Sequence, residues 1–123
     1  MELTEHFSKE EFNSKDGAGM PQEAWVNIKI LARQLEALRS VLKAPISITS
    51  AYRSELHNKA IGGKLNSQHL LGKAADIEVE GKSPKQVHKA ILKLIKDGKM
   101  LDGGLGLYED FIHYDIRGFK ARW

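Results

Sequence analysis

The chain has no cysteine among its 123 residues. That excludes disulfides and any structural zinc site closed by thiolates. Long apolar runs are also missing. None approaches the roughly 20 residues of a membrane-spanning helix, so no membrane partner is expected. No segment repeats, and none is of low complexity. The start, Met1-Glu2-Leu3-Thr4-Glu5, lacks the basic residues and apolar stretch of a secretory signal. The chain is therefore expected to be made in the cytoplasm, unless it is a mature form whose signal has been removed. The net charge is only +3, with a pI near 9.1. A slight excess of lysine helps approach to an anionic polymer. The lysines are spread out, however, and no basic run interleaves with aromatics, so nucleic acid is not expected as a partner.

What is present fits a globular protein. The hydrophobic fraction of 41% is too high for a disordered chain, and the length argues for a single domain, 1–123, with one core; a monomer is expected. Ser8-Lys9-Glu10-Glu11 has the pattern of a capping box. Pro21 suits a first helical position. Trp25, Ile28, Leu31, Leu35, Leu38 and Leu42 recur at helical spacing and predict the longest helix, with Trp25 as an anchor of its buried wall. Ile46-Ser47-Ile48-Thr49-Ser50 alternates and reads as a strand. A short helix is expected over Ser54 to Ala60, then a break at Gly62-Gly63 and an irregular loop to His69. Ala75-Asp76-Ile77-Glu78-Val79 alternates again. Ser83-Pro84-Lys85-Gln86 opens a second amphipathic helix, closed at Asp97-Gly98. Gly104 to Tyr108 and Phe111 to Ile116 read as two strands joined tightly at Glu109-Asp110. The fold class is α+β, a small, mostly antiparallel sheet with helices packed on one face. Trp25, Leu31, Leu35, Ile77, Val79, Ile91, Leu94 and Ile112 are expected to be buried together.

Three residues carry the chemistry. His69, Asp76 and His113 form an imidazole–carboxylate–imidazole set, and three protein ligands with a fourth position left open suit a catalytic zinc. If Ala75 and Ile77 face the core, Asp76 faces away. Phe111, His113 and Asp115 share one strand face, opposite Ile112, Tyr114 and Ile116. Asp76 and His113 then emerge on one open face, and His69 reaches it from the loop before its strand. His6, His57 and His88 read as surface residues.

The string Ser67-x-His69-x-x-Gly72-x-Ala74-x-Asp76, followed by a strand histidine at 113, resembles the zinc peptidases of bacterial peptidoglycan. These are the D-alanyl-D-alanine carboxypeptidases and phage L-alanyl-D-glutamate endopeptidases, which share a fold with the signalling domain of hedgehog proteins. Thr49-Ser50-Ala51-Tyr52-Arg53-Ser54, Gly62-Gly63 and the stretch from Gly106 to Trp123 are similar to short phage and prophage members. The resemblance implies metal-assisted amide hydrolysis in peptidoglycan stem peptides, with zinc as cofactor and action on the wall after release or delivery. It implies that His69, Asp76 and His113 are the ligands, that Arg53 steadies negative charge near the scissile carbonyl, and that Asp110 is the general base. Asp115 either orients a ligand imidazole or is a solvated strand aspartate. An inactive, zinc-binding wall or phage module is the alternative reading. Which bond is cut stays open.

Overall fold

Helix α1, Gln22–Leu42, is the longest element of the structure, a computed structural model that describes residues 3–123. Met1 and Glu2, part of the chain start read above, lie outside the described residues. Ala24, Ile28, Leu31, Ala32, Leu35 and Leu38 give α1 one buried stripe at steps of three and four. Pro21 caps α1 in extended backbone, one position earlier than expected. Trp25 is not the buried anchor that the spacing suggested. It is only half-buried, with the ammonium groups of Lys9 and Lys29 at 4.7 and 5.6 Å from its ring. The cause is angular: residue 25 lies about 100° around the helix from residue 24, at the edge of the stripe rather than its centre. Lys43 ends the helix in the left-handed conformation, its N–H bonded to the Arg39 carbonyl.

Strands β1 (Ile46–Ser50), β2 (Ala74–Val79), β3 (Gly104–Leu107), β4 (Ile112–Asp115) and β5 (Ala121–Arg122) form one sheet in the order β1-β2-β4-β3-β5. All neighbours are antiparallel except β3 and β5. Between β1 and β2 lie the short helix α2, Glu55–Ala60, and a 3-10 turn, Gln68–Leu71, where sequence spacing suggested only loop. Helix α3, Pro84–Lys96, follows β2. Its start is the expected capping box: Gln86 N–H donates to Ser83 Oγ at 3.2 Å, and Ser83 N–H donates to Gln86 Oε1 at 2.8 Å.

Ala75, Ile77, Val79, Ile112 and Tyr114 point to the same side as the buried stripes of α1 and α3 and join them in the core. Leu31, Leu35, Ile77, Val79, Ile91, Leu94 and Ile112 are all buried there, each worth roughly 1.5–3 kcal/mol of transfer free energy. The opposite face of β2 and β4 is left for polar side chains. Two contacts fix the 3-10 turn against α1: Asn27 Nδ2 donates to the Leu71 carbonyl at 2.9 Å, and Gly72 closes the turn at φ +72°. A Cβ on Gly72 would sit 2.6 Å from the Ala24 carbonyl oxygen, so the turn that carries His69 can seat only with glycine there.

Candidate metal centre

Asp76 and His113 are direct partners in the antiparallel pairing of β2 with β4. Because side chains alternate along a strand, both leave the sheet on the face opposite Ile77 and Ile112. His69 is brought beside them by the 3-10 turn. His69, Asp76 and His113 are all buried, and their ligand atoms lie within 4.8 Å of one another. His69 Nε2 is 3.3 Å and His113 Nδ1 is 3.1 Å from Asp76 Oδ1.

The neighbours decide which ring nitrogens are free. His69 Nδ1 lies 2.7 Å from the Ala51 carbonyl, which can only accept, so Nδ1 carries the hydrogen and the Nε2 lone pair faces Asp76. His113 Nε2 lies 2.7 Å from Asp115 Oδ2, which fixes that nitrogen as a donor and turns Nδ1 inward. Two imidazole lone pairs and a carboxylate oxygen thus converge on one point. Three acceptors in a buried site repel one another unless a cation joins them, so the donor set fits a metal ion. Both histidines are oriented by a carbonyl or a carboxylate behind them, the usual arrangement around metal ligands.

Asp115 is fully buried and saturated. It accepts from His113, from Gly104 N–H at 2.8 Å, and from the backbone N–H, Nε and Nη2 of Arg117. Of its two sequence readings, the solvated one is excluded. Burial pushes the Asp115 carboxyl up, but the hydrogen bonds from His113 and Arg117 outweigh it and hold the group below the usual carboxylate range. Asp76 behaves alike: burial works against ionisation, and hydrogen bonds from His113 and His69 outweigh it whenever their facing nitrogens carry protons in place of a metal ion. Burial would lower the His113 pKa. In the metal-free protein its bonds to Asp115 and Asp76 raise it instead, so positive charge, a proton or a metal ion, is favoured between the two carboxylates.

Arg53 borders the same site. Its Nε donates to Ser50 Oγ at 3.0 Å, Nη1 to Asn58 Oδ1 at 3.2 Å and Nη2 to Asp76 Oδ2 at 3.4 Å. Its backbone N–H donates to the His69 carbonyl at 3.1 Å, tying it to the ligand turn. A cavity of about 480 Å³ opens over these groups. Its wall holds three cations, Arg53, Lys64 and Arg117, against the single carboxylate of Asp76. Such a wall favours an anionic guest.

Asp110 is not brought to this cavity. Tyr108 N–H bonds to the Phe111 carbonyl at 3.1 Å, closing a tight turn that leaves Glu109 and Asp110 exposed at its tip. Asp110 instead borders a separate small recess beside Lys82 and Pro84. Asp110 stands three residues before His113, and residues three apart on regular strand backbone face opposite sides. Several wall residues had no role in the sequence reading, among them Lys64, Tyr108, Arg117 and Trp123. Trp123 follows β5, a strand of two residues too short to show periodicity, and it reaches the site only through the parallel pairing of β5 with β3.

Residues 4–115 match the Peptidase M15 family. Over 99 residues the chain is 33% identical to the peptidoglycan L,D-endopeptidase MepK of Escherichia coli K12, covering 73% of this chain and 50% of MepK. MepK of Shigella flexneri matches to the same extent. The chain thus spans about half the length of the curated relatives it matches. Among solved structures, the L-Ala D-Glu endopeptidase ChiX of Serratia marcescens shares the fold at a TM-score of 0.53 and 18% identity, over 78% of this chain and 87% of that one.

Proposed function

This chain belongs to the Peptidase M15 family, whose members are metallopeptidases, and we propose that it hydrolyses an amide bond in the peptide stem of bacterial peptidoglycan. The observation that carries this reading is the convergence of His69 Nε2, Asp76 Oδ1 and His113 Nδ1 at the floor of an open, cation-rimmed cavity. The metal they would hold is zinc, which suits two imidazoles and a carboxylate with one position left open. Bound zinc supplies Lewis acidity, polarising the scissile carbonyl and acidifying water to a pKa of about 7.

The chain's own residues do the rest. Asp115 and the Ala51 carbonyl keep the two imidazoles in the tautomers that ligation needs. Arg53, braced by Ser50 and Asn58, offers its remaining N–H groups to the oxygen that gains charge as water adds to the carbonyl carbon. The carbon–nitrogen bond then breaks, and the amine leaves with a proton derived from the water. Stem peptides carry free carboxylates beside their amide bonds, and the cationic wall suits them. MepK and ChiX are named as endopeptidases, which favours internal cleavage over removal of a terminal residue. On this reading the enzyme works at the cell wall.

The test is mass spectrometry of purified muropeptides after incubation with the zinc-loaded protein. The expected result is two fragments that together account for the parent plus one water, split within the stem. Loss of a terminal D-alanine alone would reassign the enzyme as a carboxypeptidase. Intact muropeptides would favour a wall-binding module without catalysis.

A further inference from the structure

Tyr108 and Trp123 form a braced pair on the cavity wall. The Tyr108 ring stacks on Phe111 at 4.4 Å with 7° between planes, which fixes the direction of its hydroxyl. Trp123 Nε1 donates to that hydroxyl at 2.7 Å. An indole N–H can only donate, so the tyrosine oxygen accepts and keeps its own hydrogen for another acceptor. Among the described residues it has none. Tyr108 is 41% exposed and lines the cavity together with Arg53, His69, Asp76 and His113.

Trp123 is itself tightly placed. Its N–H donates to the Leu105 carbonyl at 3.1 Å, and its carbonyl accepts from Leu107 N–H at 2.8 Å. Its ring lies 4.9 Å from His113 and carries the Arg117 guanidinium 5.1 Å above it. The indole crosses β3 over Gly106, where any Cβ would come within 2.5 Å of Nε1 and 2.6 Å of Cε2. Glycine at 106 is what lets the N–H reach Tyr108.

Resting on the hydrolase reading above, we infer that Tyr108 is a catalytic residue that donates its O–H to the substrate carbonyl oxygen as that oxygen gains charge, and that Trp123 is its positioning residue. Arg53 has three of its five N–H groups committed to Ser50, Asn58 and Asp76, so a second donor lining the same cavity completes the oxyanion site. A hydroxyl that accepts a hydrogen bond becomes a stronger donor, so the indole both aims Tyr108 and sharpens it.

The experiment compares zinc-loaded wild type, Tyr108→Phe, Trp123→Phe and the double variant. It measures muropeptide turnover, and calorimetric binding of a phosphinate analogue of the scissile amide, which carries the tetrahedral geometry and charge. Zinc content and thermal midpoint are measured alongside. Tyr108→Phe keeps the stack on Phe111 and loses only the hydroxyl. It is expected to lower kcat by about 10²–10³, the usual effect of deleting one oxyanion donor, with KM within about twofold. Phosphinate affinity falls with kcat, while zinc content stays at the wild-type level. Trp123→Phe is expected to cost about tenfold in kcat. The double variant falls no further than Tyr108→Phe, because the indole N–H acts through the hydroxyl.

Equal kcat and phosphinate affinity in Tyr108→Phe and wild type would overturn the inference while leaving the hydrolase reading standing. A rise in KM alone would do the same, since it marks ground-state binding. Fully additive losses would overturn the positioning role of Trp123. A wild type that neither cleaves muropeptides nor binds the phosphinate overturns both readings together.

Discussion

Replacing Asp115 with asparagine changes one oxygen to an amide nitrogen and should disable the metal site from behind. Oδ1 accepts from Gly104 N–H and from Arg117, and Oδ2 accepts from His113 Nε2 and Arg117 Nη2. The asparagine NH₂ therefore meets a donor in either orientation. Placed toward His113, it forces Nε2 to become an acceptor and moves the ring hydrogen to Nδ1, the nitrogen that faces Asp76. The ligand lone pair is then lost. Losing the carboxylate behind a ligand imidazole typically lowers metal affinity by about 10–100-fold. Removing the charge from a fully buried group also leaves the Arg117 guanidinium without its partner, a loss of about 2–4 kcal/mol in the metal-free protein. For a chain of this size that lowers the thermal midpoint by about 10 °C. The pH dependence follows from the sign of the shift. The Asp115 pKa is held below the ordinary carboxylate value, its charge opposed by burial and secured by its hydrogen bonds. The wild-type advantage is thus full above about pH 4 and shrinks as pH falls through the folded-state pKa. Zinc titration against a chromophoric chelator, with melting curves of the metal-free proteins from pH 7 downward, measures both effects. Asp115→Asn with wild-type zinc affinity and an unchanged melting point would refute the tautomer argument.

Three further outcomes are expected. Gly72→Ala places a side chain at φ +72° and 2.6 Å from the Ala24 carbonyl, so it should destabilise the protein by at least about 2 kcal/mol in chemical denaturation and weaken zinc binding through the displaced His69 turn; an unaffected midpoint would contradict the close approach. Arg53→Ala should lower muropeptide turnover by about 10²–10³ at unchanged zinc content, because the guanidinium stabilises charge and ligates nothing; loss of zinc would show instead that its bond to Asp76 holds the ligand in place. Asp110→Ala should change turnover by less than about threefold, since the side chain lies outside the cavity; a loss of about 10²–10⁴ would show that the turn swings to deliver a general base.

Much of this was legible in the sequence because it rests on short-range rules. The alternation of Ala75, Asp76 and Ile77, and of Ile112, His113 and Tyr114, places two candidate metal ligands on one face, and the β2–β4 register makes them partners. The capping box at Ser83 and the apolar stripes of α1 and α3 are likewise local signals. What escaped depends on distance in the chain or on angle. Trp25 obeyed helical spacing but sat at the edge of the stripe, where the ammonium groups of Lys9 and Lys29 lie over its ring. Trp123 meets His113 only through a parallel strand of two residues. Asp110 matched a family position in sequence, yet the closure of the turn from Tyr108 to Phe111 aims it elsewhere. The choice between the two readings of Asp115 required seeing Gly104 arrive from the neighbouring strand and Arg117, two residues on, fold its side chain back onto the carboxylate.

The central claim is that His69, Asp76 and His113 hold one metal ion on which peptide hydrolysis depends. The direct measurement is turnover of a muropeptide by chelator-stripped protein as zinc is added in fractions of an equivalent, for wild type and His69→Ala. The account predicts no turnover without metal, a linear rise that stops at one zinc per chain in the wild type, and neither binding nor turnover in His69→Ala at the same zinc levels. Full turnover in the stripped wild type, or wild-type zinc stoichiometry and activity in His69→Ala, would contradict it.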